Sequence, residues 1–312
     1  MKAASALTRP QSRELFIFNA ESAESRSSAI ALFQPTKKCN LKCVSCPQPR
    51  EERYEPDLDA NSLIAALASL PSNLLHLTIS GGEPTLRFDL ISNVLEMFRN
   101  RAEPVSIQLL TNAVMLKQNS LCARLRAVSP QSLVIGVPLY AGHADLHDAI
   151  TCMDGSFTST VQAITNLLSL GARVEIRVIV SRLTINDLPT TAAFISKNMH
   201  TVERVLFIAP ELHGCARDNA LKVWQDPHEQ APSLIKATHI LRAGDVRVSL
   251  YNYPLCTIPE SLWSISADSI SPWKKAFSKC CDACTVRRYC AGFFTCNKDV
   301  MNSVVCPVIA RH

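Results

Sequence analysis

The sequence predicts an α/β fold, a partial (β/α)6 barrel of parallel strands that ends in a small cysteine-rich C-terminal extension. Three observations lead to it. Short apolar, β-rich runs alternate with amphipathic segments of helical period between residues 29 and 209, the pattern of βα units. Each strand carries one apolar and one polar face. Beyond about residue 210 the alternation stops, and from Cys256 onward cysteines crowd the chain.

The strands are expected at 29–34, 74–80, 105–112, 133–139, 173–180 and 203–208. In the second, Leu75, Leu77 and Ile79 oppose His76, Thr78 and Ser80; in the third, Val105, Ile107 and Leu109 oppose Ser106, Gln108, Leu110 and Asn112. In the fifth, Val174, Ile176, Val178 and Val180 oppose Glu175 and Arg177. Parallel sheets are generally covered on both faces, so a polar face predicts a wet barrel lumen that receives a ligand. Between the strands, Leu63, Leu67 and Leu70, then Leu90, Val94 and Phe98, then Leu121 and Leu125, then Phe157, Val161, Ile164 and Leu168, then Leu188, Ala192 and Ile195 recur at helical steps. Residues 211–230, with Gly214, Asn219 and Pro227, read as a loop with at most a short helix; a helix over 233–242 and a strand over 246–251 precede the tail. The organisation is therefore an N-terminal extension (1–28), the barrel (29–245) and the cysteine-rich region (246–312).

With 312 residues, 47% hydrophobic and 19% charged, the chain is an enzyme-sized globule with a sizeable core. Its net charge of +5 comes without a run of five basic residues, so nucleic acid is not an expected partner. Thirteen cysteines follow an N-terminus that Arg9, Pro10, Arg13 and Glu14 interrupt before any long apolar core, which predicts reduced thiols in the cytoplasm. No apolar stretch is long enough for a membrane span.

Cys39, Cys43 and Cys46 follow the first strand at CxxxCxxC spacing, where a parallel barrel places its active site. Three thiolates can hold three irons of a 4Fe-4S cluster and leave the fourth open to an exogenous ligand, whereas structural zinc closes with a fourth protein ligand. The nearest fourth ligand is His76, and zinc is the competing reading. After the second strand come Gly81, Gly82, Glu83 and Pro84. The two glycines allow close backbone approach, and Pro84 biases Glu83 toward an extended conformation. Its carboxylate or the adjacent carbonyls can then accept from an ammonium group. His143 and His147 are spaced i,i+4, but a loop beside the fourth strand is the expected setting. Trp263 and Trp273 are expected to pack the tail against the barrel, and no hydrolytic triad or phosphate loop is present.

On the cysteine triplet and the GGEP turn the chain resembles the radical S-adenosylmethionine enzymes. The resemblance implies a 4Fe-4S cluster on Cys39, Cys43 and Cys46, and S-adenosylmethionine bound through its amino group at Gly81, Gly82, Glu83 and Pro84. One electron then cleaves the sulfonium to a hydrogen-abstracting 5'-deoxyadenosyl radical. Asn112 and Arg177 occupy strand ends that the family often uses for the adenosyl and carboxylate groups. Many members carry an aromatic before the third cysteine, near the adenine; here Ser45 stands there.

Cys256, Cys281, Cys284 and Cys290 resemble the ligands of the auxiliary-cluster region, of SPASM or Twitch type, found in radical enzymes acting on peptides. A zinc knuckle is the alternative, Cys280 could replace Cys281, and Cys296 and Cys306 are too irregularly placed to define a third cluster. Residues 137–141 (VPLYA), 174–178 (VEIRV), 214–219 (GCARDN), 261–263 (SLW) and 269–274 (SISPWK) resemble the HxsC-type maturases of the His-Xaa-Ser system. That likeness implies a ribosomal peptide substrate, a second radical enzyme as partner, an external electron donor, and substrate contact by Gly214 to Asn219. A non-peptide substrate such as tRNA or a small metabolite, and a non-catalytic metal-bound scaffold, are the other readings. The sequence names no residue that relays or quenches the radical.

Overall fold

The alternation along the strands becomes their buried and polar faces. The computed structural model describes residues 15–20 and 28–309. They form two compact units, one of residues 15–20, 28–40, 51–137 and 159–174, the other of residues 41–50, 138–158 and 175–309.

In the first unit β1 (Leu15–Ala20), β2 (Ser28–Phe33), β3 (Leu74–Ile79), β4 (Ser106–Leu110) and β5 (Leu133–Pro138) lie side by side in that order. β2 to β5 are parallel, with Leu32 level with Thr78 and Thr78 with Gln108. Leu77, Ile79, Ile107 and Leu109 are buried while Thr78 and Gln108 on the opposite face are only half-buried, as the parity predicts. β1 is a strand that the βα rhythm does not announce. It runs antiparallel to β2, Leu15 opposite Phe33. The rest of the expected extension, residues 1–14 and 21–27, lies outside the described residues.

Among the described residues three α-helices lie wholly in this unit, α1 (Ala60–Ala68), α2 (Phe88–Arg99) and α3 (Asn119–Val128). Asp59 caps α1, its carboxylate accepting from Ser62 N at 3.0 Å. α2 buries Leu90, Ile91, Val94, Leu95 and Phe98, the stripe read from the sequence. Each such side chain contributes about 1.5–3 kcal/mol relative to exposure.

The second unit holds α4 (Ala144–Thr151), the start of α5 (Ser156–Ser169), most of β6 (Arg173–Ile179), α6 (Leu188–Asn198), β7 (Arg204–Ile208), the short α7 (Gly214–Asp218) and α8 (Ala220–Val223), α9 (Pro227–Ala243), β8 (Val248–Tyr251) and β9 (Ser266–Ala267). β6 to β9 are parallel neighbours in sequence order. α6 packs along α9. α4 corrects the loop expected around His143 and His147. His143 sits at its N-cap position, and His147, Ile150 and Thr151 are its buried residues. The tail is built of short 3-10 helices, the antiparallel pair of β10 (Lys275–Ala276) with β11 (Phe293–Phe294), and the short α10 (Lys298–Met301). Trp263 packs within the tail, donating from Nε1 to Leu255 O at 2.9 Å, whereas Trp273 is exposed. Among the described residues no helix is long and apolar enough to cross a membrane.

Candidate functional site

In the first unit the segment after β2 runs along the glycine turn that follows β3. Gly82 N donates to Thr36 O at 2.9 Å and Glu83 N to Lys38 O at 2.7 Å, one residue before Cys39. The approach is so close that a Cβ on Gly82 would lie 2.1 Å from Lys38 O and 2.4 Å from Lys37 O. Gly81 has φ +118°, a conformation that L side chains rarely adopt.

Glu83 is fully buried, and its carboxylate points inward. Oε1 accepts from Thr85 N at 2.9 Å, Thr85 Oγ1 at 2.5 Å and Thr111 Oγ1 at 2.6 Å, and Oε2 from Asn112 N at 2.7 Å. Burial pushes the Glu83 carboxyl pKa up, and these donors only partly oppose the shift. Of the two acceptors left open by the sequence, the carboxylate is thus occupied within the protein. Pro84 opens a buried 3-10 turn. Asn112 carries the brace onward: Nδ2 donates to Asn40 Oδ1 at 2.7 Å and approaches Cys39 Sγ at 3.8 Å, while Oδ1 accepts from Val114 N. One continuous path of hydrogen bonds therefore joins the GGEP turn, the end of β4 and the residue beside Cys39. His76 stands apart from this path, level with Ile30 in the sheet and bonded to Ser106 and Thr78 hydroxyls.

Cys43 and Cys46 belong to the second unit. Their loop is seated on the C-terminal turn of α4, with Val44 N donating to Ile150 O at 2.8 Å and Lys42 N to Thr151 O at 3.1 Å. α4 is itself tied down by Asp148, which accepts from Gly155 N, Phe157 N and Ser156 Oγ, each at 2.7 Å. From the other side α7 presses on the loop. Ala216 N donates to Cys46 O at 2.9 Å, and Cys215 Sγ to Gln48 O at 3.4 Å. A Cβ on Gly214 would lie 2.4 Å from the Gln48 carbonyl carbon. The segment expected to touch substrate thus buries Cys215 and Ala216 as a buttress of the cysteine loop.

Tyr140 and Ser45 were not singled out from the sequence as a pair. Tyr140 is buried, and the thiols of Cys43 and Cys46 act on its hydroxyl. Burial first, then those thiols, raises its pKa. Ser45 Oγ is buried and finds no partner of hydrogen-bonding geometry. Arg177 lies on the polar face of β6. Its Nη1 donates to Glu175 Oε1 at 2.8 Å, and Arg204 Nε holds Glu175 Oε2 at 2.7 Å.

His147, edge-on to Tyr140, accepts from Tyr140 N at 3.3 Å through Nδ1. Burial lowers its pKa from 6.5 to about 4, against the attraction of Asp148. The unfolded chain therefore takes up a proton at His147 before the folded chain does. This contribution to stability is present above about pH 6.5 and is lost as pH falls toward 4. Urea unfolding of the metal-free protein is expected to show a stability loss from this group of about 2 kcal/mol between pH 7 and pH 5. His147→Leu should remove that slope; an unchanged slope would contradict the assignment.

In the tail Cys256, Cys281, Cys284 and Cys290 line one cavity, together with Phe277, Phe293 and a fifth thiol, Cys306. Backbone amides point at the sulfurs: Leu255 N and Gly292 N donate to Cys290 Sγ at 3.3 and 3.4 Å, and Val308 N to Cys284 Sγ at 3.4 Å. Burial pushes the Cys256 thiol up to about 12; a backbone hydrogen bond from Cys306 opposes the rise, and the charges of Cys306, Cys290 and Cys281 add to it. Cys280 instead donates to Val305 O at 3.4 Å and is not among the cavity's lining residues. The sequence leaves open whether Cys306 is a ligand, and the fold brings it to this cavity. Among the described residues no group of three His, Cys, Asp or Glu is close enough together to hold a single metal ion.

The donors fit sulfur-ligated iron. Cys39, Cys43 and Cys46 are half-buried thiols, and Ser45 Oγ lacks a partner beside two of them. The tail adds five thiols on one cavity, served by amide donors of the kind that stabilise cluster sulfurs.

Comparison with known proteins agrees with this chemistry. The chain is 28% identical over 182 residues to Fe-coproporphyrin III synthase of Methanosarcina barkeri, covering 57% of this chain and 43% of that protein. It is 25% identical over 147 residues to the antilisterial bacteriocin subtilosin biosynthesis protein AlbA of Bacillus subtilis, covering 47% of this chain and 32% of AlbA. The chain thus spans less than half the length of either curated relative. In three dimensions it is similar to Streptococcus suis SuiB bound to precursor peptide SuiA, with a TM-score of 0.56 and 16% identity over 71% of this chain and 48% of SuiB. This likeness shows the fold, an α/β partial barrel of mostly parallel strands. The family model of the radical SAM superfamily matches residues 33–195, more than half of the chain and inclusive of the cysteine triplet, the GGEP turn, Asn112 and Arg177. The chain belongs to the radical SAM superfamily.

Proposed function

We propose that this enzyme uses Cys39, Cys43 and Cys46 to hold a 4Fe-4S cluster and binds S-adenosylmethionine to modify a ribosomally made peptide of His-Xaa-Ser type. The observation that carries the reading is the hydrogen-bond path from Glu83 through Asn112 to Asn40, which seats the GGEP turn beside Cys39. When bound, the cluster and S-adenosylmethionine supply one-electron cleavage of the sulfonium to a hydrogen-abstracting 5'-deoxyadenosyl radical. Gly81 and Gly82 keep the backbone close, and the carbonyls around Glu83 and Pro84 accept from the amino group. Glu175 orients Arg177 and leaves its remaining N–H donors for the carboxylate. Asn112 borders the adenosyl group while holding Asn40.

Residues 246–312 form the auxiliary region of this proposal, after the barrel of 29–245. Cys256, Cys281, Cys284 and Cys290, with Cys306 on the same cavity, hold a second 4Fe-4S cluster. An external donor supplies the electron, and a second radical enzyme acts alongside. The peptide reading is supported by AlbA, a bacteriocin biosynthesis protein, and by SuiB, seen with its precursor peptide. The similarity to Fe-coproporphyrin III synthase favours a second reading, a small-metabolite substrate.

Reconstituted under anaerobic conditions, the protein is expected to carry about eight irons per chain; about four would remove the auxiliary cluster. Incubation with reductant, S-adenosylmethionine and a His-Xaa-Ser repeat peptide should change the peptide's mass. An unchanged peptide, with a porphyrin-type substrate altered in its place, would overturn the peptide reading in favour of the second.

A further inference from the structure

Residues 41–50, which carry Cys43 and Cys46, contain no helix or strand, so the shape of this loop is set by what packs on it. α4 holds one side. On the other side His213 Nδ1 donates to Pro47 O at 2.8 Å and Ala216 N to Cys46 O at 2.9 Å. The segment that leads from β7 into α7 is in turn held by the tail. Asn297 Oδ1 accepts from Leu212 N at 2.8 Å, and Asn297 Nδ2 donates to Pro210 O at 2.9 Å. A side-chain amide offers one acceptor and a donor side by side, and here they pair with the main chain as a neighbouring strand would. Asn297 is 4% exposed, so water does not replace either bond.

The apolar contacts take the same route. Leu212, Ala216 and Val223 form a buried cluster on which Val44 of the cysteine loop packs. A second cluster, Phe293, Met301 and Val305, packs against Cys256 and Cys280, and its Phe293 and Val305 line the tail cavity. Trp224 and Val300 pack on both clusters, so consecutive contacts lead from the tail cavity to Val44. We infer that Asn297 is a positioning residue of the radical site, holding the Cys43–Cys46 loop from the tail by fixing the segment that enters α7. The inference rests on the proposed role of Cys43 and Cys46 as cluster ligands. Without the Asn297 amide, Leu212 N and Pro210 O lose their partners, and moving out to water is their relief. α7 moves with them, and the loop loses its bond from Ala216 N and the cover of Val44.

Hydrogen–deuterium exchange of the metal-free, full-length protein tests this coupling, with Asn297→Ala set against Trp263→Phe. The latter removes a tail hydrogen bond, Trp263 Nε1 to Leu255 O, that does not involve α7. In Asn297→Ala the amides of 210–219 and of 41–50 should exchange about tenfold faster, while those of α6 keep their wild-type rates. In Trp263→Phe residues 41–50 should stay at wild-type rates. Val300→Ala, a milder change on the same bridge, should speed 41–50 about threefold, and it decides alone if Asn297→Ala does not fold. The reconstituted, reduced proteins supply the second readout. The part of the electron paramagnetic resonance signal that S-adenosylmethionine perturbs marks the cluster with the open iron, and it should be largely lost in Asn297→Ala and kept in Trp263→Phe. Unchanged exchange in 41–50, equal acceleration in Trp263→Phe, or a perturbed signal of wild-type size in Asn297→Ala would overturn the inference. A wild-type protein that takes up no iron would instead overturn the cluster reading, and the exchange rates would still decide whether Asn297 holds the loop.

Discussion

Glu83→Ala is expected to destabilise the metal-free protein by about 4 kcal/mol, before any cluster or substrate is involved. The carboxylate is fully buried and accepts from Thr85 N, Thr85 Oγ1, Thr111 Oγ1 and Asn112 N. Alanine leaves those four donors buried without their acceptor. Each unsatisfied group costs about 1–3 kcal/mol, and partial relaxation keeps the total below the simple sum. Glu83→Gln keeps one acceptor oxygen but turns the other position into a donor, so it should recover only about half of the loss. Urea denaturation followed by circular dichroism reads both variants. A loss below about 1 kcal/mol in Glu83→Ala would mean that the brace does not carry the turn.

Gly82→Ala is expected to cost about 3 kcal/mol and to sharply reduce iron loading. The new Cβ meets Lys38 O at 2.1 Å and Lys37 O at 2.4 Å, backbone atoms that no rotamer change can move aside. Relief requires the 36–38 segment to leave the turn, which breaks the bonds from Gly82 N to Thr36 O and from Glu83 N to Lys38 O and displaces the adjacent Cys39. Iron quantification after anaerobic reconstitution, beside a urea midpoint, measures both effects. Wild-type iron content in Gly82→Ala would show that the contact does not position Cys39.

What the sequence announces here is what local chemistry encodes. The alternation of Leu77 and Ile79 with Thr78 repeats every second residue and marks β3 by itself. The cysteine triplet and the GGEP turn are also local, each readable within a few residues. The features that were missed or left open depend on residues far apart in the chain. Glu83 looks like a ligand in its own segment, and only the Thr111 and Asn112 donors turn it inward. Cys306 joins the tail cavity from beyond Cys290, and α7 reaches the Cys46 carbonyl from the end of the sheet. β1 escaped because a strand antiparallel to its neighbour lies outside the βα rhythm. α4 escaped because eight residues opening on Gly142 and His143 show too little helical period, and its order comes from the Asp148 bonds.

The most direct measurement of the central claim is 5'-deoxyadenosine release from S-adenosylmethionine by the reduced, anaerobically reconstituted protein, wild type against Cys43→Ala. Three thiolates are needed to leave one iron open, so the wild type should release 5'-deoxyadenosine and Cys43→Ala should release none. Release that survives Cys43→Ala, or none from an iron-loaded wild type, would contradict the account.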